Sequence, residues 1–236
     1  MKLQLIRHAT LGVEYAGVRF LIDPMWSEAG ANPPIANTAN DRRNPLVPLP
    51  AAANDWLRPD AAIVTHLHPD HWDEPAARAL PKTTPILCQP GDEAAFAGFG
   101  SVTPVGERAA FRGVTIHRTG GRHGTGLIGK RMGRVSGFVF RADGEPTLYV
   151  AGDTIWCDEV RQALDAFRPD VTVVNAGGAR FVLGARLRWR PTTSSLYAGM
   201  RRIRRRSPSI WRRSTTACSP GRSCGSGSPR KGWRIG

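Results

Sequence analysis

Lys2–Ile6, Gly12–Tyr15 and Val18–Ile22 are short, mostly apolar runs of β-type composition. They predict short strands, and Ala16-Gly17 offers a turn between the last two, so the chain is expected to open as a β-meander. A Pro- and Asn-rich stretch, Asn32–Pro50, reads as a loop. Ala61–Thr65 is a brief apolar run that ends in histidines. Asp73–Leu80 then reads as a helix, with acids in its first turn and Pro81 as its stop. Pro85–Cys88, Val102–Val105, Val114–Arg118, Val135–Arg141 and Leu148–Ala151 are further strand candidates. Asp158–Phe167 is an amphipathic helix, and Asp170–Asn175 is a buried-type strand. Strands and helices mixed in this way predict a layered α/β domain.

The pattern stops after Leu183, where Arg, Ser, Gly, Pro and Trp dominate and neither helical nor strand periodicity persists. Composition sharpens the boundary. The formal charge of the 236 residues is +14, which by itself points to an anionic partner. Yet residues 1–183 hold 19 Lys and Arg against 19 Asp and Glu, whereas 184–236 hold 14 Lys and Arg and no acid. The excess belongs to the tail. Residues 1–183 are therefore read as one domain with no specific nucleic-acid partner, and 184–236 as a basic, disordered tail.

No stretch approaches the roughly 18 apolar residues of a membrane span, and MKLQLIRHAT lacks the apolar run of a signal peptide. A cytoplasmic protein without a membrane partner is expected. Cys88, Cys157, Cys218 and Cys224 form no C-x-x-C pair, and the first two read as free thiols.

The strongest chemical signal is His66-Leu67-His68-Pro69-Asp70-His71, at the end of a predicted buried strand. Two histidines at i and i+2 can converge from a strand end, while the adjacent Asp and His turn toward a second ion about 3.5–4 Å from the first. Imidazole nitrogen with carboxylate oxygen suits zinc, with manganese or iron as alternatives.

This segment resembles the H-x-H-x-D-H signature of the metallo-β-lactamase superfamily, hydrolases built as a four-layer αβ/βα sandwich. The resemblance implies a third ligand from a later loop, which His123 in Thr119-Gly-Gly-Arg-His-Gly-Thr matches, and a bridging carboxylate, which Asp153 in Tyr149-Val-Ala-Gly-Asp-Thr matches. His117 competes with His123 but sits inside a strand-like run. One zinc ion would then be held by His66, His68 and His123, the other by Asp70, His71 and a final histidine, with Asp153 between them. No histidine follows His123. Arg7-His8-Ala9-Thr10 and Leu21-Ile22-Asp23-Pro24 are similar to segments near the active site in a branch that resembles ascorbate-6-phosphate lactonases. There His8 would contact substrate and Asp23 would orient a ligand; a surface His and a turn-forming Asp-Pro are the alternatives. Asn175-Ala-Gly-Gly178 either lines the pocket or only forms a turn.

The tail has a second reading. Ala185–Tyr197 and Ser209–Cys218 can each be back-translated so that a boundary moved by one base reads Pro-Ile-Thr-Met-Ala-Ala-Asp-Asp-Val-Val-Ala-Val and His-Met-Glu-Ala-Ile-Asn-His-Cys. The second resembles the family's missing ligand segment. A one-base deletion near codon 185 would make 184–236 an out-of-frame translation and leave the sandwich incomplete at its C-terminus. The expected function is hydrolysis of a small ester, lactone or phosphoester by a metal-activated water, with Asp70 steering that water. The alternatives are a nuclease-type protein and an inactive product lacking the last ligand.

Overall fold

The computed structural model describes residues 1–176. The expectations for Gly178, Cys218, Cys224, the end of the 1–183 domain and the tail lie outside the described residues.

The opening meander forms as β1 (Lys2–Arg7), β2 (Thr10–Tyr15) and β3 (Val18–Ile22), all antiparallel. From β3 the sheet continues in parallel through β4 (Ala61–Val64), β5 (Ile86–Cys88) and β6 (Val102–Pro104). A second sheet runs β7 (Arg108–Phe111), β8 (Val114–Gly120), β9 (Ser136–Arg141) and β10 (Leu148–Val150), antiparallel throughout, and ends with β11 (Val171–Val173) parallel to β10.

Strand side chains alternate in direction, and here the alternation sorts residues into layers. Phe20, Ile22 and Ile63 of the first sheet face Phe138, Phe140, Leu148 and Val150 of the second, in one core between the sheets. The intervening Leu21, Ala62 and Val64 point the other way and pack under Ala76 of α1 (Glu74–Ala79), Leu80, Trp26 and Trp56. Val139 and Tyr149 likewise leave the second sheet outward, against Val160, Ala163 and Leu164 of α3 (Asp158–Phe167). Helix, sheet, sheet, helix is the four-layer αβ/βα sandwich. Tyr15 ties the two sheets together: its ring lies 5.9 Å from Phe140, and its hydroxyl donates to the Phe140 and Pro146 carbonyls at 3.1 and 3.0 Å.

Helix α3 has the predicted ends, and Arg168 closes it in the left-handed region at φ 46°. The N-cap of α1 is Asp73, whose carboxylate accepts from Ala76 N at 2.8 Å and also from Trp26 N, Ser27 N and the Ser27 hydroxyl. Buried Arg7 donates to the Met25, Ser27 and Val47 carbonyls, so cap and guanidinium together pin the long loop after β3. Four elements escaped the sequence pattern. Strand β7, Arg-Ala-Ala-Phe, has no β-branched residue; α2 (Gly126–Arg131) carries two glycines; and Ala51–Trp56 and Glu93–Phe96 are short 3-10 helices. No helix among the described residues is long and apolar enough to cross a membrane.

Candidate metal centre

Strand direction brings the chemistry to one rim. Because β3 and β4 are parallel with Ile22 opposite Ile63, Asp23 and the run Thr65–His66 emerge side by side. Because β10 and β11 are parallel with Val150 opposite Val173, Asp153 and Asn175 also emerge together. His123 follows β8 in the same direction, and Ser136 N joins the sheets at this end by donating to the Thr65 carbonyl at 3.3 Å.

Two glycines make the approach close enough. A Cβ on Gly152, at φ 68°, would stand 2.7 Å from the Ser136 carbonyl, and one on Gly121 would stand 2.9 Å from the Thr154 hydroxyl. Neither contact is tolerable, so the loops bearing Asp153 and His123 need those residues.

His66, His68 and His123 bring one nitrogen each within 4.8 Å of one another, and His66, His71 and Asp153 form a second such group. His66 Nε2 lies 3.0 Å from His68 Nδ1. Asp153 Oδ2 stands between the two groups, 3.3 Å from His71 Nε2 and 3.4 Å from His123 Nε2. Asn175 fixes that carboxylate by donating to its other oxygen at 2.8 Å. The Asp70 carboxylate is 4.0 Å from His71 Nε2 and belongs to neither group. His8 lies at φ 51° in the turn between β1 and β2, half-buried. His117 packs on Phe167 at 4.9 Å, away from the cluster, and burial together with Arg141 and Arg108 pushes its pKa down.

Behind the rings lies a buried support. Asp23 Oδ2 is 2.7 Å from His71 Nδ1, and its oxygens also take the Thr65 amide at 2.8 Å and the Thr65 hydroxyl at 2.9 and 3.0 Å. The hydroxyl in turn lies 3.1 Å from His66 Nδ1. Sequence reasoning missed Thr65, since a threonine ending an apolar run carries no chemical signal. With Nδ1–H of His71 held by a carboxylate, the lone pair of its Nε2 faces the cluster.

Three observations test whether a cation fits here. Nε2 of His71 is buried and makes no hydrogen bond. Burial alone would lower the His71 pKa, yet Asp23, Asp153 and Asp70 hold it well above its ordinary value: the carboxylates demand a positive charge. Burial and the neighbouring charge of His71 meanwhile hold His66 well below its ordinary value. Imidazoles and carboxylates around one cavity are the donor set of a divalent transition metal, so the residues fit one.

Residues 18–200 match the sequence profile of the Beta-lactamase superfamily domain. The chain is 40% identical over 183 residues to the UPF0173 protein YddR of Bacillus subtilis, covering 75% of this chain and 72% of the relative. Among solved structures it is similar to isothiocyanate hydrolase from Delia radicum gut bacteria, at 38% identity and TM-score 0.79, covering 85% of this chain and 81% of that one. It is also similar to a possible metal-dependent hydrolase from Veillonella parvula, at 33% identity and TM-score 0.80, covering 84% and 80%. Sandwich, histidine cluster and these likenesses agree, and the chain belongs to the UPF0173 metal-dependent hydrolases of the β-lactamase superfamily.

Proposed function

We propose that the protein hydrolyses a small ester, lactone or phosphoester at a centre for two divalent ions, zinc in the first instance. His66, His68 and His123 would hold one ion, and His71, Asp70 and Asp153 the other. The observation that carries this reading is the position of Asp153 Oδ2 between His71 and His123, at 3.3 and 3.4 Å, where a shared ligand belongs. Bound there, divalent ions bring the pKa of water toward neutrality and polarise the scissile bond. The protein's own part is orientation and proton handling. Asp23 and Thr65 hold the tautomers of His71 and His66, Asn175 holds Asp153, and Asp70, at the more exposed edge of the cluster, receives the proton of the attacking water.

A second reading, an isothiocyanate as substrate, is favoured by the likeness to the Delia radicum gut-bacterial enzyme. The same centre would deliver water to its central carbon. The test is a panel of p-nitrophenyl esters, simple lactones, p-nitrophenyl phosphate and benzyl isothiocyanate, assayed with the chain as purified. Turnover of one class should vanish in EDTA, return with zinc, and fall at least about 100-fold in His68→Ala. EDTA-insensitive turnover would exclude the proposed centre, and the class turned over decides between the two readings.

A further inference from the structure

Residues 108–142 contain eight Arg and Lys and no Asp or Glu, whereas the rest of residues 1–183 holds 11 Arg and Lys against 19 acids. This acid-free segment folds into β7, β8, α2 and β9. Arg118, Arg122, Lys130 and Arg134 from it line a cavity of about 550 Å³ whose wall also includes His123. Glu159 is the one carboxylate on that wall, and it is engaged by Arg122 Nε at 2.9 Å. The other arginines have neutral partners: Arg118 donates to the Gly106 carbonyl at 2.7 Å, and Arg134 to the Pro90 carbonyl at 3.0 Å. Lys130 is exposed at the end of α2.

Gathering like charges around a concavity opposes folding unless an anion enters it, and a concave, low-dielectric wall focuses the resulting field. The volume suits a small molecule, within the range of about 300–1,000 Å³ usual for ligand pockets. A nucleic-acid backbone would ask for an extended basic groove, whereas here the cations line a single concave pocket. His123 belongs to both the cavity and the histidine cluster, so one ligand can reach both.

We propose that this cavity is a subsite for an oxyanion carried by the substrate, a carboxylate or a phosphate, so that the enzyme acts on small molecules charged at the end remote from the scissile bond. The substrate side of this proposal rests on the hydrolase reading of the centre; the anion site itself does not. Arg118, Lys130 and Arg134 position the anionic end, and the histidine cluster receives the reacting group.

The test has two arms on the full-length protein as purified. In the first, inorganic phosphate and acetate are titrated by calorimetry into the wild type and into Lys130→Gln/Arg134→Gln. Saturable binding of at least one anion is expected, weakened about tenfold or more in the double variant, and the preferred anion distinguishes phosphate from carboxylate. No saturable binding, or an affinity the double variant leaves unchanged, would overturn the subsite. In the second arm, p-nitrophenyl hexanoate is compared with mono-p-nitrophenyl adipate, which adds a terminal carboxylate. The charged ester should show a KM about tenfold lower than the neutral one, an advantage the double variant loses. Equal KM values would remove the carboxylate from the substrate. Anion binding that responds to the variant without turnover of either ester would support the subsite and refute the ester-hydrolase reading, so the two fail separately.

Discussion

Asp23 Oδ2 lies 2.7 Å from His71 Nδ1, with both side chains buried. They are 48 residues apart, and the parallel pairing of β3 with β4 is what makes them neighbours. The carboxylate accepts the ring proton, which leaves Nε2 to the metal cluster. In Asp23→Asn, an amide oriented with its NH₂ toward His71 would hold the other tautomer, with the proton on Nε2. When zinc is titrated into the metal-free protein, affinity at the weaker, His71-containing site should fall about 10–100-fold. Far-UV circular dichroism should barely change, because the Thr65 contacts can persist. An unchanged affinity at that site in Asp23→Asn would show that the bond does not govern the tautomer.

Gly152→Ala should strike fold and site together. At φ 68° a Cβ would meet the Ser136 carbonyl at 2.7 Å, so the loop must move or strain. A cost of about 1–3 kcal/mol is expected, which lowers Tm by several degrees. Because Asp153 is the next residue, metal content should drop too. An unchanged Tm would contradict the described backbone.

Alkaline stability reports on Tyr15. Burial pushes its pKa from 10 up to about 12. The folded state therefore resists ionisation while the unfolded chain ionises near 10. Its contribution is fully present below pH 10 and is lost as pH rises from 10 toward 12. Tyr15→Phe should cost about 1 kcal/mol at pH 8, through the hydroxyl's two carbonyl acceptors, and its Tm should then fall less steeply above pH 10 than the wild type's. Parallel Tm curves from pH 8 to 11 would place the alkaline loss elsewhere.

The out-of-frame reading of 184–236 makes a prediction about stoichiometry. The chain as given should retain about one tightly held ion, since the second group lacks the final histidine that the family resemblance implies. Inserting one base near codon 185 should raise metal content to two per chain and increase activity on the substrate class found above. In that background His68→Ala should abolish activity with little change in circular dichroism. Two ions in the unaltered chain, measured by elemental analysis, would defeat the reading.

Several parts of the protein were legible without coordinates. Short β-type runs gave the meander its strands, and Asp158–Phe167 carried its helix in its own amphipathic spacing. His66, His68, Asp70 and His71 announced a cluster because four ligand-type residues within six positions need no long-range contact to be recognised. His123 and Asp153 were legible only through family resemblance, as isolated residues in glycine-rich loops. Strand β7 was illegible because Arg-Ala-Ala-Phe has no strong preference of its own and becomes a strand by pairing with β8.

The amino-acid sequence by itself determined which groups were available to bind a cation, and which faces of each segment had to be buried, because ligand chemistry and hydrophobic period are properties of single residues and close neighbours. Tertiary structure alone decided that Thr65 braces Asp23 and His66, that Asn175 fixes Asp153, and that cations spread from Arg118 to Arg134 meet around one cavity beside His123. Those relationships depend on strand direction, register and the packing of two sheets. Burial across the whole sandwich sets these, and no local stretch of sequence contains them.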